Sequence, residues 1–248
     1  MASAAKATNG AALKRPDGGL SQVLFVYWPA LFALVVALVP MLLDVERVAP
    51  FPPALDLSMT QARKMLTSPW FLSMTVPMCA GLVWLQGFAR RHGLPAEEHR
   101  SMVWWLVNFF WFHVGCDIFS GFLQVMPVLT ALYAKMTPAH LTPRWSAPRM
   151  YLDCTYFLEA VLEVPLAGWV LWLYTKRDPA RKTVEAIAAA VQFAGTVVYY
   201  APAVLGEPVT CWLSWVDRLC GSVWIVFPAL LVWQHVASVQ NAGRGKGD

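Results

Sequence analysis

Residues 105–134 read WLVNFFWFHVGCDIFSGFLQVMPVLTALYA, from Trp105 to Ala134. The stretch is apolar and long enough to cross a bilayer, which takes about 20 residues of helix. Yet His113 and Asp117 lie near its middle. Four residues apart, they share one helical face. An ionisable group at membrane depth is costly, roughly 2.5–3.5 kcal/mol for Asp on insertion scales, and marks function by default. A second apolar stretch, beginning at Tyr151, carries Asp153, Glu159 and Glu163 in the same manner. The fold that accommodates both is an all-α polytopic membrane helix bundle enclosing an acid-rich pocket.

Composition agrees. The chain is 58% hydrophobic and 14% charged, with a mean hydropathy of +0.49. A soluble domain of this size carries about 25% charged residues. Thirteen Trp and thirteen Phe suit interfacial belts and an aromatic-lined cavity. The net charge of +4 is small and no basic stripe is present, so nucleic acid is excluded as a partner. The five cysteines, Cys79, Cys116, Cys154, Cys211 and Cys220, fall in or beside apolar runs and form no CxxC pair. They read as buried free thiols, with a bridge at Cys211 left open.

Six runs are long enough to span a membrane: 22–43, 66–89, 102–133, 151–174, 186–206 and 219–239. The third is long enough to tilt or to project beyond the bilayer. Residues 1–20 read as a disordered tail. Residues 21–64 read as a retained N-terminal span with a Pro-rich loop, not a cleaved signal. Residues 65–240 form the main membrane domain, and 241–248 a second tail. Proline recurs within or near every span, where it kinks helices and widens cavities. With six spans, 12 Lys and Arg fall on the side shared by both termini and 7 on the other. The positive-inside rule therefore puts both termini in the cytosol. The opposite side carries VAPFPPALD (48–56) and TPAHLTPRWSAPRM (137–150), which cannot be helical throughout and suit a lid over the bundle mouth.

Several chemistries lack their residues. HGLPAEEHR (92–100) does not have HExxH spacing and reads as a solvated loop. Five His in all are too few for the histidine pairs of a membrane di-iron enzyme. There is no P-loop, GxSxG, strand-borne GxGxxG or DDxxD. No metal or cofactor is called for. Acid–base chemistry or ligand binding by intramembrane acids remains. A transporter would also bury acids, but no repeat or Gly-broken helix supports one.

Four features in order along the chain resemble the emopamil-binding-protein family, the superfamily named for its EXPERA domain. FHVGCD (112–117) is similar to a His followed four residues later by an acid; the family's isomerase has Glu where this chain has Asp117. A span with FLEAVLEVPLAGW (157–169) is similar to a family helix with Glu before Pro, which falls on Glu159, with Glu163 as a rival. VQFAGTVVYY (191–200) resembles a Gln-containing segment followed by aromatics. SVWIVFPALLV (222–232) resembles the last family helix, with Trp224 four residues before Pro228. The likeness covers roughly 66–240. Span 22–43 is additional to the five-helix family domain, making about six in all. Gly221 stands where the isomerase has Asn.

The resemblance implies an enzyme of the endoplasmic-reticulum membrane that shifts a double bond in a sterol or another polycyclic isoprenoid, such as a 3-beta-hydroxysteroid delta-8 to delta-7 isomerase. It needs no cofactor. One group protonates an alkene carbon and another removes a proton next to the resulting carbocation. His113 and Glu159 suit these two roles, in either order. Asp117 would orient His113 or transfer a proton itself. Trp224 would turn its ring to the cation. Glu163, Gln192, Tyr199, Tyr200 and Tyr151 would line the substrate site. Cationic amphiphilic amines that mimic the cation would inhibit. The competing reading is a non-catalytic binder of sterols and amines, of the sigma-two receptor type. A lipid-handling scaffold is the third, and a homodimer is left open. Residue by residue, His113 also reads as a helix–helix hydrogen-bond donor, Trp224 as packing and Asp153 as a cap.

Overall fold

The computed structural model describes residues 19–42, 59–136, 138–205 and 215–244, all of whose regular structure is helical. The Pro-rich loop at 48–56, Cys211, most of the N-terminal tail and the end of the C-terminal tail lie outside the described residues. The helices are α1 (Leu20–Leu42), α2 (Met59–Leu66), α3 (Pro69–His92), α4 (Ala96–Val107), α5 (Pro127–Met136), α6 (Met150–Leu158), α7 (Val164–Lys176), α8 (Arg181–Leu205) and α9 (Trp215–Arg244). Two stretches are wound more widely, as π-helix. Asn108–Phe122 continues α4 without a break, and Glu159–Glu163 joins α6 to α7.

Five of these continuous helices are long and apolar enough to cross a membrane: Pro69–His92, Ala96–Phe122, Met150–Lys176, Arg181–Ala201 and Gly221–Asn241. Helix α1, where the N-terminal span was expected, has 23 residues, about 35 Å of helix. Ala96–Phe122 is the central one. Its most apolar window is 67% buried, against 17–28% for the other four. It packs against α1 and α3 on one side and α6 and α7 on the other. The outer helices expose Val83, Trp84, Trp169, Trp172, Val226 and Trp233. So much exposed apolar surface marks an interaction surface on a soluble protein and is what lipid requires. The structure thus has the character of a polytopic membrane bundle.

Two departures from the expected spans have physical causes. The run 102–133 is not one helix. The span starts earlier, at Ala96, and ends at Phe122. Gln124 takes a left-handed backbone (φ 58°), and α5 begins at Pro127. Proline lacks an N–H and bars helical geometry from the residue before it, so a chain that has stopped at 123 cannot resume before 127. Likewise, HGLPAEEHR is only partly loop. His92 ends α3 and Glu97 and Glu98 fill the first turn of α4, where carboxylates suit the helix dipole.

The π-helical turns follow from sequence too. Pro165 offers no N–H to the carbonyl four residues back. Just before it, Val164 N–H reaches to the Glu159 carbonyl, five residues away. In the longer stretch the Ser120 hydroxyl donates to the Gly115 carbonyl at 2.9 Å. Widened turns of this kind gather at functional sites, and both occur on the segments that carry the intramembrane acids.

Candidate functional site

His113 is 2% exposed and lies on the π-helical half of the central span. Its Nδ1 is 3.5 Å from Asp117 Oδ2, one turn along the same helix. Its Nε2 is 3.3 Å from Glu163 Oε2, on the helix opposite. The ring therefore sits between two carboxyl groups, one at each nitrogen. Glu159 is within hydrogen-bonding reach of Asp117, and its Oε2 is buried with no partner among the described residues. Asp117 Oδ1 accepts from Tyr133 Oη at 2.5 Å, which ties α5 to the cluster. Three acids and one histidine thus meet inside an apolar bundle.

Of the residues expected in the site, His113, Asp117, Glu159, Glu163 and Gln192 come together. Gln192, 2% exposed, places its amide nitrogen 3.4 Å from His113 Nε2. It supports the histidine instead of forming an open wall. Tyr199 and Tyr200 lie seven and eight residues further along α8, their rings 5.0 Å apart edge to face. Tyr200 packs against Gly221. A Cβ there would be 2.8 Å from Tyr200 Cζ, so the phenol fills the space that the resemblance gave to Asn. Tyr151 is half-buried in the first turn of α6, two turns before Glu159. Trp224 packs edge to face on Phe112 at 4.3 Å, with Phe32 at 5.6 Å and Trp104 at 6.2 Å. It reaches the acids through Phe112, the neighbour of His113.

Gly195, which the sequence did not single out, shapes the site. A Cβ at 195 would lie 2.8 Å from Glu163 Oε1. A methyl there would push the Glu163 carboxyl from its place beside His113, so the glycine leaves room for that carboxyl. Its only sequence signal is its place, three residues after Gln192 on the same helix.

Asp153 belongs elsewhere. It is fully buried and receives Arg149 Nε at 2.9 Å and the Trp145 N–H at 2.6 Å. Arg149, 1% exposed, also donates to the carbonyls of His140, Thr142 and Gly121. This arginine fastens the 138–149 loop to the end of the central span at Gly121. At the opposite end of the continuous Met150–Lys176 helix, Glu185 of α8 is satisfied by Trp105 Nε1 at 3.2 Å, Tyr174 Oη at 2.5 Å and Lys182 Nζ at 3.1 Å. Both clusters are saturated and read as structural.

His113, Asp117 and Glu159 each offer a ligand atom, all within 4.8 Å of one another, and are the described residues able to hold a cation. Chemically, a buried histidine flanked by carboxyls is suited to moving protons.

No family model matches the chain. Part of it is similar to a rat protein named 3-beta-hydroxysteroid-Delta(8),Delta(7)-isomerase, at 25% identity over 100 residues. The chain is distantly related to a sterol isomerase. The match takes in 37% of this chain and spans less than half of the rat protein, 43%. The link is therefore at most a distant, family-level one.

Proposed function

We propose that this protein is an intramembrane isomerase that moves a carbon–carbon double bond in a sterol, or in a related polycyclic isoprenoid, by protonation and deprotonation. The observation that carries the proposal is the buried His113 set between Asp117 and Glu163. The distant likeness to a sterol isomerase supports it. In the reaction, the π electrons of the alkene take a proton from an acid of the site. One C–H bond forms and the adjacent carbon becomes a cation. A base then removes a proton from a neighbouring carbon, and those electrons make the new double bond. Protons balance, and neither oxidant nor reductant is consumed.

His113 with Glu163 forms one proton-handling pair and Asp117 with Glu159 the other. Glu159 Oε2, without a partner among the described residues, is the acceptor for the second transfer. Carboxylate charge favours the cation, and the aromatic group of Phe112 and Trp224 beside His113 supplies a π face. A protonated amphiphilic amine resembles that cation and competes for the same place. The proposed residence is the endoplasmic-reticulum membrane.

The test is turnover. Protein reconstituted in bilayers is incubated with a panel of sterols and triterpenoids of known double-bond position, and the products are resolved chromatographically. Migration of a double bond without a cofactor is expected. If the protein binds a tertiary amine but converts none of the panel, a binding protein of the sigma-two receptor type replaces the enzyme.

A further inference from the structure

Asn108 and Gln192 take no part in the proton transfers proposed above, yet they are 0% and 2% exposed and lie beside His113. Buried amides are costly unless they are bonded, so their partners define their purpose. Asn108 stands where α4 gives way to the π-helical stretch. Its Nδ2 donates to the Trp104 carbonyl at 2.8 Å. A backbone carbonyl only accepts, so this bond fixes which way the amide faces and turns Oδ1 toward α8. There Oδ1 accepts from Gln192 Nε2 at 2.7 Å. That bond fixes Gln192 in turn. Its nitrogen carries a second hydrogen and stands 3.4 Å from His113 Nε2. Gln192 Oε1 has no partner among the described residues, so the side chain is held here as a donor.

We infer that Asn108 and Gln192 are positioning residues that hold His113 Nε2 as a hydrogen-bond acceptor and so place the ring proton on Nδ1, toward Asp117. If Nε2 carried hydrogen, it would meet the Gln192 N–H hydrogen to hydrogen. The same assignment acts on Glu163, 3.3 Å from Nε2. An unprotonated Nε2 presents its lone pair to that carboxyl, so it can take a hydrogen from Glu163 but give none. Removing either amide frees the ring to reverse the tautomer, with Nε2–H donating to Glu163. The inference concerns the ring itself and holds whether or not the protein turns over a sterol.

The direct test is nitrogen-15 NMR of histidine-labelled protein in detergent micelles. The His113 ring signals are assigned by their loss in His113→Leu, or by through-space contact with a selectively labelled Gln192 amide if that variant does not fold. Expected in the unaltered protein is an unprotonated, imine-type Nε2 and a protonated Nδ1. Gln192→Met, which keeps the length and loses the donor, and Asn108→Leu, which removes the anchor, should each reduce the imine-type Nε2 signal. In a turnover assay the same two changes should lower kcat by up to about 100-fold with KM changed by less than about twofold, as expected of a misplaced proton-transfer group. A protonated Nε2 in the unaltered protein overturns the inference without recourse to any variant. So does a tautomer ratio unchanged in both variants.

Discussion

A carboxyl group stands at each nitrogen of His113, at 3.5 Å on the Asp117 side and 3.3 Å on the Glu163 side. His113→Ala and Glu163→Gln should each lower kcat by about 100-fold or more, the usual contribution of a general acid or base. Steady-state kinetics on a substrate found in the sterol panel measures this. An active Glu163→Gln beside an inactive Glu159→Gln would exchange the roles of the two acids. Gly195→Ala should act on the same atoms from α8, because the added methyl displaces Glu163 Oε1. A kcat at least about 10-fold lower is expected, with little change in thermal unfolding, since the displaced group is one carboxyl at the end of a side chain. The pairing of His113 with Asp117 was legible in sequence because a spacing of four places two residues on one face of any near-helical turn. The choice between Glu159 and Glu163 was not. They too are four apart, and which one reaches His113 depends on the π-helical winding around them and on how closely α8 approaches at Gly195. Asn108 was equally hidden, since its partner Gln192 is 84 residues away.

Between elements, the clearest dependence is that of the 138–149 loop on one ion pair. Arg149 and Asp153 are both buried and bonded at 2.9 Å. Arg149→Met leaves Asp153 as a buried, unpaired charge, which costs about 3–5 kcal/mol. Thermal unfolding in detergent should show that loss, and the double variant Arg149→Met with Asp153→Leu should recover much of it, because two apolar groups leave no orphan charge. No recovery would mean that the loop depends on the carbonyl bonds of Arg149 and not on the pair. Five of the six expected runs fall, in the expected order, on described helices long and apolar enough to cross a membrane; the first, 22–43, falls on α1, whose described apolar stretch, Leu20–Val35, is shorter. The boundary that departed, at 122, depends on Pro127 and on the left-handed backbone of Gln124. A long apolar run conceals such a stop, because the short α5 that follows packs on the same core and is apolar for the same reason.

For the whole molecule, an apolar exterior surrounds the buried His113 cluster and, towards the helix ends, the structural clusters of Arg149 and Glu185. Five of the described helices are long and apolar enough to cross a bilayer, and the asymmetry of basic residues, counted over six spans, predicts both termini in the cytosol. Terminal tags in sealed microsomes should be open to added protease on the outer side. A C-terminal tag protected until detergent is added, beside an open N-terminal one, would require an odd number of crossings and a different assignment of α1; both tags protected would invert the orientation. The central claim is that the His113 cluster moves protons onto and off a carbon skeleton, and solvent deuterium tests it most directly. Purified protein is incubated in heavy water with each sterol or triterpenoid, and the recovered lipid is analysed by mass spectrometry and NMR. The account predicts one deuterium on the carbon that gains hydrogen as the double bond moves, and none with His113→Ala. Isomerised product without deuterium, or no incorporation into any member of the panel by protein that binds the amine tightly, would contradict it.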